Sequence, residues 1–175
     1  MSLCSEESSK LNTSWTLYFH DPEESSWHED SYKVCAKLYT IEDFWKYYGN
    51  LPKTTLHYGM FFLMRSDIKP LWEDPRNKNG GCWTFKVSSS DVFETWKTVS
   101  ARLIAETLIT DPSHLTGLSL SPKKGEFAII KLWNSKCSIG NTMSNLQLNN
   151  VPMLHGAKSL YTPFASKDKK KQQFI

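Results

Sequence analysis

Apolar and polar residues alternate over Tyr32–Tyr39, with Tyr32, Val34, Ala36 and Leu38 on one side, and this two-residue period predicts a strand. Strands are also predicted at Trp15–His20, which is aromatic on both faces, at the mostly apolar Tyr58–Arg65, and at Trp83–Val87. Leu115–Ser121 and Phe127–Trp133 read as a hairpin closed by the basic turn Pro122-Lys123-Lys124-Gly125. Two stretches change to helical spacing. In Thr40–Gly49, Thr40 can cap the start, Glu42 and Asp43 suit its positive end, and Gly49 is placed to stop it in a left-handed turn. After the start signal Ser88–Asp91, Val92, Trp96, Val99 and Leu103 recur at helical intervals, predicting a helix to about Leu108, before Asp111-Pro112. Further on the pattern weakens to a short helix within Asn141–Asn150 and a last strand at Ser159–Thr162.

A chain of 175 residues is long enough for one domain with a full core. Residues 1–13 are small and polar and are expected to be a flexible tail, leaving 14–175 as the folded unit. The net charge of +3 is too mild for bulk attraction to polyanions, so any nucleic-acid contact must be local. Cys4, Cys35, Cys82 and Cys137 are scattered, which predicts reduced thiols in an intracellular protein and no structural metal. The polar, acidic start is unlike a secretory signal, and no apolar run approaches the ~18 residues of a membrane span. No phosphate-cradling lysine loop, acid pair or nucleophile–histidine motif stands out, so neither an enzyme nor a cofactor is expected; Asp43, Asp74 and the five histidines read as surface or capping groups.

The informative excess is aromatic, seven tryptophans being more than a core of this size needs. Trp72 stands beside Glu73 on a stretch held by Pro70, Pro75 and the Gly80-Gly81 pair, which allows a sharp turn into the next strand. An indole next to an acceptor-only carboxylate suits a flat, electron-poor ring whose edge carries N–H donors; a buried Trp beside a solvated acid is the plainer alternative. Trp27, among polar neighbours, is either a loop anchor folded onto the core or a binding residue. Lys131 falls between Ile129 and Trp133 on one strand face, which marks that face as partly a ligand wall. Phe44 and Tyr48 form a core stripe, whereas Ile41 and Trp45 widen the apolar face into either more core or a docking ridge. Lys167-Asp168-Lys169-Lys170-Lys171 reads as a solvated tail.

Two motifs then carry a resemblance. Trp72-Glu73-Asp74 followed by Asn77-Lys78-Asn79-Gly80-Gly81-Cys82-Trp83, and Tyr39-Thr40-Ile41-Glu42-Asp43-Phe44-Trp45, are similar to the eukaryotic translation initiation factor 4E family, which binds the 7-methylguanosine cap of messenger RNA. Weaker matches are Trp15–Phe19, Leu103–Glu106 and Phe174-Ile175. The resemblance implies an α+β fold: a single domain with a curved antiparallel β-sheet, about three helices packed on its convex face, and the cap on the concave side. It implies that Trp27 and Trp72 sandwich the methylguanine, that Glu73 accepts from its edge, and that Trp133 lies against the methyl group. Lys123, Lys124 and Lys131 are then the candidates for the triphosphate. Ile41, Glu42 and Trp45 would anchor a scaffold of the factor 4G type, or a repressor, with a Tyr-x-x-x-x-Leu motif. The chain departs from the family at Lys97 and Ala101, where larger apolar residues usually help form that groove, and at Cys82, where many members carry an arginine. The implied protein is a monomeric, non-enzymatic, cytoplasmic factor in translation initiation, with the nucleus as a further location. The alternative is a cap-binding repressor or competitor with altered scaffold binding.

Overall fold

The structure is a computed structural model that describes residues 9–124, 126–140, 146–148, 151, 154 and 159–165. Seven strands form one antiparallel sheet: β1 Lys10–His20, β2 Tyr32–Thr40, β3 Met60–Arg65, β4 Gly81–Ser88, β5 Leu115–Lys123, β6 Phe127–Asn134 and β7 Leu160–Pro163, in spatial order β2-β1-β3-β5-β6-β4-β7. Among the described residues two α-helices, α1 Ile41–Asn50 and α2 Val92–Ile104, accompany short 3-10 turns. The third helix expected within residues 141–150 lies mostly outside the described residues; inside that span Leu146 makes a single bridge to Ile109.

The apolar run of β3 follows from burial on both sides. Phe61 and Leu63 join Trp15, Leu17, Phe85 and Ile130 in a large core that takes in Phe44 and Tyr48 of α1 and Trp96, Val99 and Leu103 of α2. The alternate residues Phe62 and Met64 enter a smaller cluster on the opposite face with Tyr18, Ile68, Cys82, Trp133 and Phe164. Irregular registers between β1 and β2, and between β5 and β6, bend the ladder as bulges do.

Local chemistry moves several expected boundaries. β1 begins at Lys10, inside the stretch read as a tail. Leu38 pairs with Trp15 and is buried, whereas Val34 pairs with Tyr18 and is exposed, because Cys35 is an extra residue in the register; the even alternation expected for β2 is broken there. Thr40 and Asp43 make a reciprocal capping box on α1. Gly49 lies within that helix, which stops at extended Leu51 before Pro52. α2 ends four residues earlier than expected, and the chain turns through Glu106 at a φ of 58°.

Arg65, at the end of β3, fastens distant segments. Its Nε donates to the Leu115 carbonyl at 2.8 Å, Nη1 to Thr13 Oγ1 at 2.9 Å, and Nη2 to the Pro112 carbonyl at 2.8 Å. Nη1 also pairs with Glu106, and the guanidinium lies over the Trp15 ring.

The loop from β3 to β4 is built around a carboxylate. Asp74 is buried; Oδ2 accepts from the Lys69 N–H at 3.0 Å and Oδ1 from the Arg76 N–H at 2.9 Å. The Arg76 guanidinium donates to both oxygens of Asp74 and bridges to Asp67. Asn77, fully buried, donates to the carbonyls of Lys69 and Leu71. Gly80 is required where the loop ends, because a Cβ there would fall 1.7 Å from the Asn134 carbonyl oxygen. Asp74 is therefore an internal tie of the loop, not the surface group its neighbours in sequence suggest.

Burial alone raises the Asp74 carboxyl, but the Arg76 guanidinium and the Lys69 and Arg76 amides outweigh it and hold it below its ordinary value. A carboxyl depressed in the folded state stabilises the chain above the unfolded value, and the contribution is lost as pH falls through the folded value. Asp74→Asn is expected to lower stability at pH 7 by about 2 kcal/mol. Urea unfolding at pH 7 and pH 3 should show the gap from wild type narrowing in acid, and a gap of constant size would contradict the assignment.

Candidate functional site

On the face opposite the helices a cavity of about 640 Å³ opens between the β1–β2 loop, the β3–β4 loop and strands β5 and β6. Trp27, Trp72, Glu73, Lys123, Lys131 and Trp133 all line it. Lys124, the remaining residue expected there, is outside the lining, on the hairpin turn with a φ of 41°.

Each lining group is set by its element. Trp27 is 52% exposed, yet its inner face is covered: the indole stacks on His20 with ring centroids 4.3 Å apart and planes 7° from parallel. It is at once an anchored loop residue and an open aromatic surface. Across the cavity, half-buried Trp72 and exposed Glu73 project from the loop tied by Asp74 and Asn77. The floor is Trp133, buried in the smaller cluster, with its Nε1–H donated to Ser119 Oγ at 3.0 Å. The two-residue period of β6 brings Lys131, opposite Ser119 on β5, to the same face as Trp133. Cys82 is buried in that cluster, so the position where the family often has an arginine adds no cation to the wall.

Several further side chains contribute without a motif of their own in the sequence. Tyr32 and Phe62 line the cavity, and their rings meet edge to face at 5.2 Å. Burial, and after it the charge of Glu73, push Tyr32 up to about 12, so its phenol stays a neutral O–H group on the wall. His20, far from being a surface histidine, is fully buried. The β1–β2–β3 register places His20 between Tyr32 and Met60, a proximity legible only once the pairing is known. Beyond Tyr32 and Pro70 a neighbouring cavity of about 640 Å³ is lined by Thr16, Tyr18, Glu29, Asp67 and Lys69, and holds none of the expected site residues. A Lys69–Glu29 ion pair of 2.8 Å crosses its rim.

The cavity thus combines indoles from two loops, one carboxylate and two ammonium groups. Such a set can stack a flat ring, accept from its edge and neutralise an attached anion.

On the helix side, Phe44 and Tyr48 are core, while Ile41 and Trp45 are 44% and 53% exposed. Glu42 accepts the Ser9 N–H at 3.2 Å, and its own backbone N–H together with that bond holds its carboxyl below the usual range. On α2, Lys97 forms a 2.6 Å ion pair with Glu94 and lies over the Phe93 ring, and Ala101 packs on the core. Among the described residues no helix is long and apolar enough to cross a membrane.

The chain is similar to the factor 4E proteins of several organisms. Eukaryotic translation initiation factor 4E of Saccharomyces cerevisiae is 33% identical over 127 residues, 66% of this chain and 57% of that protein. Its counterpart in Candida glabrata is 32% identical over 141 residues, 73% of this chain and 63% of that protein. The chain therefore spans about three fifths of the length of these curated relatives. Among solved structures, Caenorhabditis elegans eIF4E-3 in complex with the 4E-binding protein Mextli superposes with a TM-score of 0.79 at 18% identity, covering 93% of this chain and 97% of that one. Ascaris suum eIF4E-3 with an m7G cap gives a TM-score of 0.66 at 24% identity over 74% and 75% of the two chains. At these identities the likeness establishes the shared fold. The family profile described as Eukaryotic initiation factor 4E matches residues 10–174, and the chain belongs to that family.

Proposed function

We propose that this protein binds the 7-methylguanosine cap of messenger RNA as a translation initiation factor. The observation that carries the reading is the convergence of Trp27, Trp72, Glu73, Lys123, Lys131 and Trp133 on one cavity. Methylation at N7 makes guanine a cation, and each indole face against it contributes about 0.5–2 kcal/mol beyond area burial. Glu73, acceptor-only, takes the N1–H and amine of the base edge in a charge-assisted pair. Trp133 forms the wall next to the methyl group. Lys123 and Lys131 reach the triphosphate, with Lys124 at the hairpin tip meeting it or the chain beyond. The solved relative from Ascaris suum carries an m7G cap, which agrees with this reading.

The exposed Ile41 and Trp45, beside Glu42, form the surface for a helical partner of the scaffold or repressor type; the Caenorhabditis elegans relative was solved with a 4E-binding protein, Mextli. The salt-bridged Lys97 and the short Ala101 favour a second reading, a cap-binding repressor that holds RNA without engaging a scaffold.

Tryptophan quenching on titration with 7-methylguanosine triphosphate should report tight binding. Guanosine triphosphate should bind at least tenfold more weakly, since the ring loses its charge. Equal affinities would point instead to a generic single-strand binder. Glu73→Gln should cost about 2–3 kcal/mol of cap affinity, and unchanged retention on immobilised 7-methylguanosine would contradict the assigned edge contact. For the helix side, a Tyr-x-x-x-x-Leu peptide should bind wild type and bind Trp45→Ala at least tenfold more weakly. No binding by wild type would favour the repressor.

A further inference from the structure

We propose that Lys69 and Glu29 are positioning residues, an ionic strap that sets the distance between the loop bearing Trp27 and the loop bearing Trp72; this rests on the cavity reading above. Lys69 Nζ lies 2.8 Å from Glu29 Oε1. Glu29 stands two residues after Trp27 and Lys69 three residues before Trp72, so the bond joins the two tryptophan loops directly. Neither side chain lines the cavity of Trp27 and Trp72; both line the neighbouring one. The strap therefore lies outside the site and acts on it only through the loops.

Exposed ion pairs generally contribute little, because two long side chains must be ordered to make them. Here the backbone at each end is already fixed. The Lys69 N–H donates to Asp74 Oδ2 at 3.0 Å, and the Lys69 carbonyl accepts from Asn77 Nδ2 at 3.2 Å. Glu29 opens the 3-10 turn Glu29–Ser31, in which the Ser31 N–H donates to the His28 carbonyl at 3.0 Å and the chain passes straight into β2. Asp67, which shares the neighbouring cavity, is engaged by Arg76.

The spacing matters because contact attraction is short-ranged: a gap of ~0.5–1 Å forfeits a quarter to a half of it. A flat base held by groups from separate loops is bound only as well as those loops are kept at its thickness. Trp27 has an anchor of its own in the stacked His20 ring, and Trp72 has one in the frame around Asp74. Each anchor holds one indole to its own part of the chain, whereas the Lys69–Glu29 bond relates one loop to the other.

Two measurements on the full chain test the strap, using Glu29→Gln, Lys69→Met, the double variant and Lys69→Arg. Both side chains are partly exposed, so these changes leave the core intact. In the first, affinity for 7-methylguanosine triphosphate is read by tryptophan quenching. Each neutral single variant should bind about two- to fivefold more weakly than wild type. The double variant should bind no more weakly than the weaker single, and Lys69→Arg about as tightly as wild type. A charge acting on the anionic ligand through space would instead move the singles in opposite directions, Lys69→Met weaker and Glu29→Gln tighter. That pattern, additive losses in the double variant, failure of arginine to rescue, or unchanged affinity would each overturn the role at the site. In the second, without ligand, amide exchange is followed at Ser26 and Ser31, whose N–H groups are bonded to the Glu24 carboxylate and the His28 carbonyl. It should quicken about two- to fivefold in Lys69→Met, a change made on the opposite loop. Exchange at the wild-type rate would overturn the link between the loops. No binding of 7-methylguanosine triphosphate by wild type, with exchange still faster in Lys69→Met, would overturn the cap reading and leave the link standing.

Discussion

The buried carboxylate of Asp74 decides where Trp72 and Glu73 point. Apart from Ile68 and Trp72, which pack on the smaller cluster, the loop from β3 to β4 has little apolar packing, so much of its shape must come from polar bonds. Asp74 supplies them by accepting amides from both sides of the Trp72–Glu73 pair and both ends of the Arg76 guanidinium. Asn77 completes the frame by taking the carbonyls of Lys69 and Leu71. The pair at the cavity is thus presented by a turn in which the Asp74 carboxylate, the Arg76 guanidinium and the Asn77 amide nitrogen are already engaged, which limits the ordering a ligand would require.

The sheet contributes the other half of that rigidity. With the helices and most of the apolar side chains on one side, the second face would ordinarily be left to water. Here Tyr18, Phe62, Met64, Cys82, Trp133 and Phe164 form a small additional core beneath the cavity. The floor therefore belongs to the packed interior, and Lys131 and Ser119 stand at its edge because strand alternation puts them there. The cavity thus presents a surface that is both apolar underneath and charged at the margin.

Much of this was readable from the residues. The capping signal at Thr40–Asp43 fixed the start of α1, and the oddly placed Lys131 announced a wall that is not pure core. The Trp-Glu pair was visible because both side chains are local in sequence. What escaped was everything created by pairing. A bulged Cys35 separates Val34 from Leu38 in a way no two-residue count anticipates. Asp74 and His20 looked unremarkable because their partners, Arg76 and Lys69 for one and Trp27 for the other, are recognisable only after the loops have closed. Gly49 had the right identity for a helix stop, but the chain continues helical to Asn50 and stops instead at Leu51, which Pro52 forces into an extended conformation.

The guanidinium of Arg65 has a consequence for how the fold comes apart. Its donors are satisfied from Thr13, Glu106, Pro112 and Leu115, stretches some 40 to 50 residues distant along the chain. Of these, Glu106 is the counter-ion, and its departure would leave a charged group that is mostly shielded from solvent without one. Through Thr13 and Glu106 the same guanidinium joins the amino-terminal strand to the turn after α2, so opening of that turn is expected to loosen the start of the strand as well.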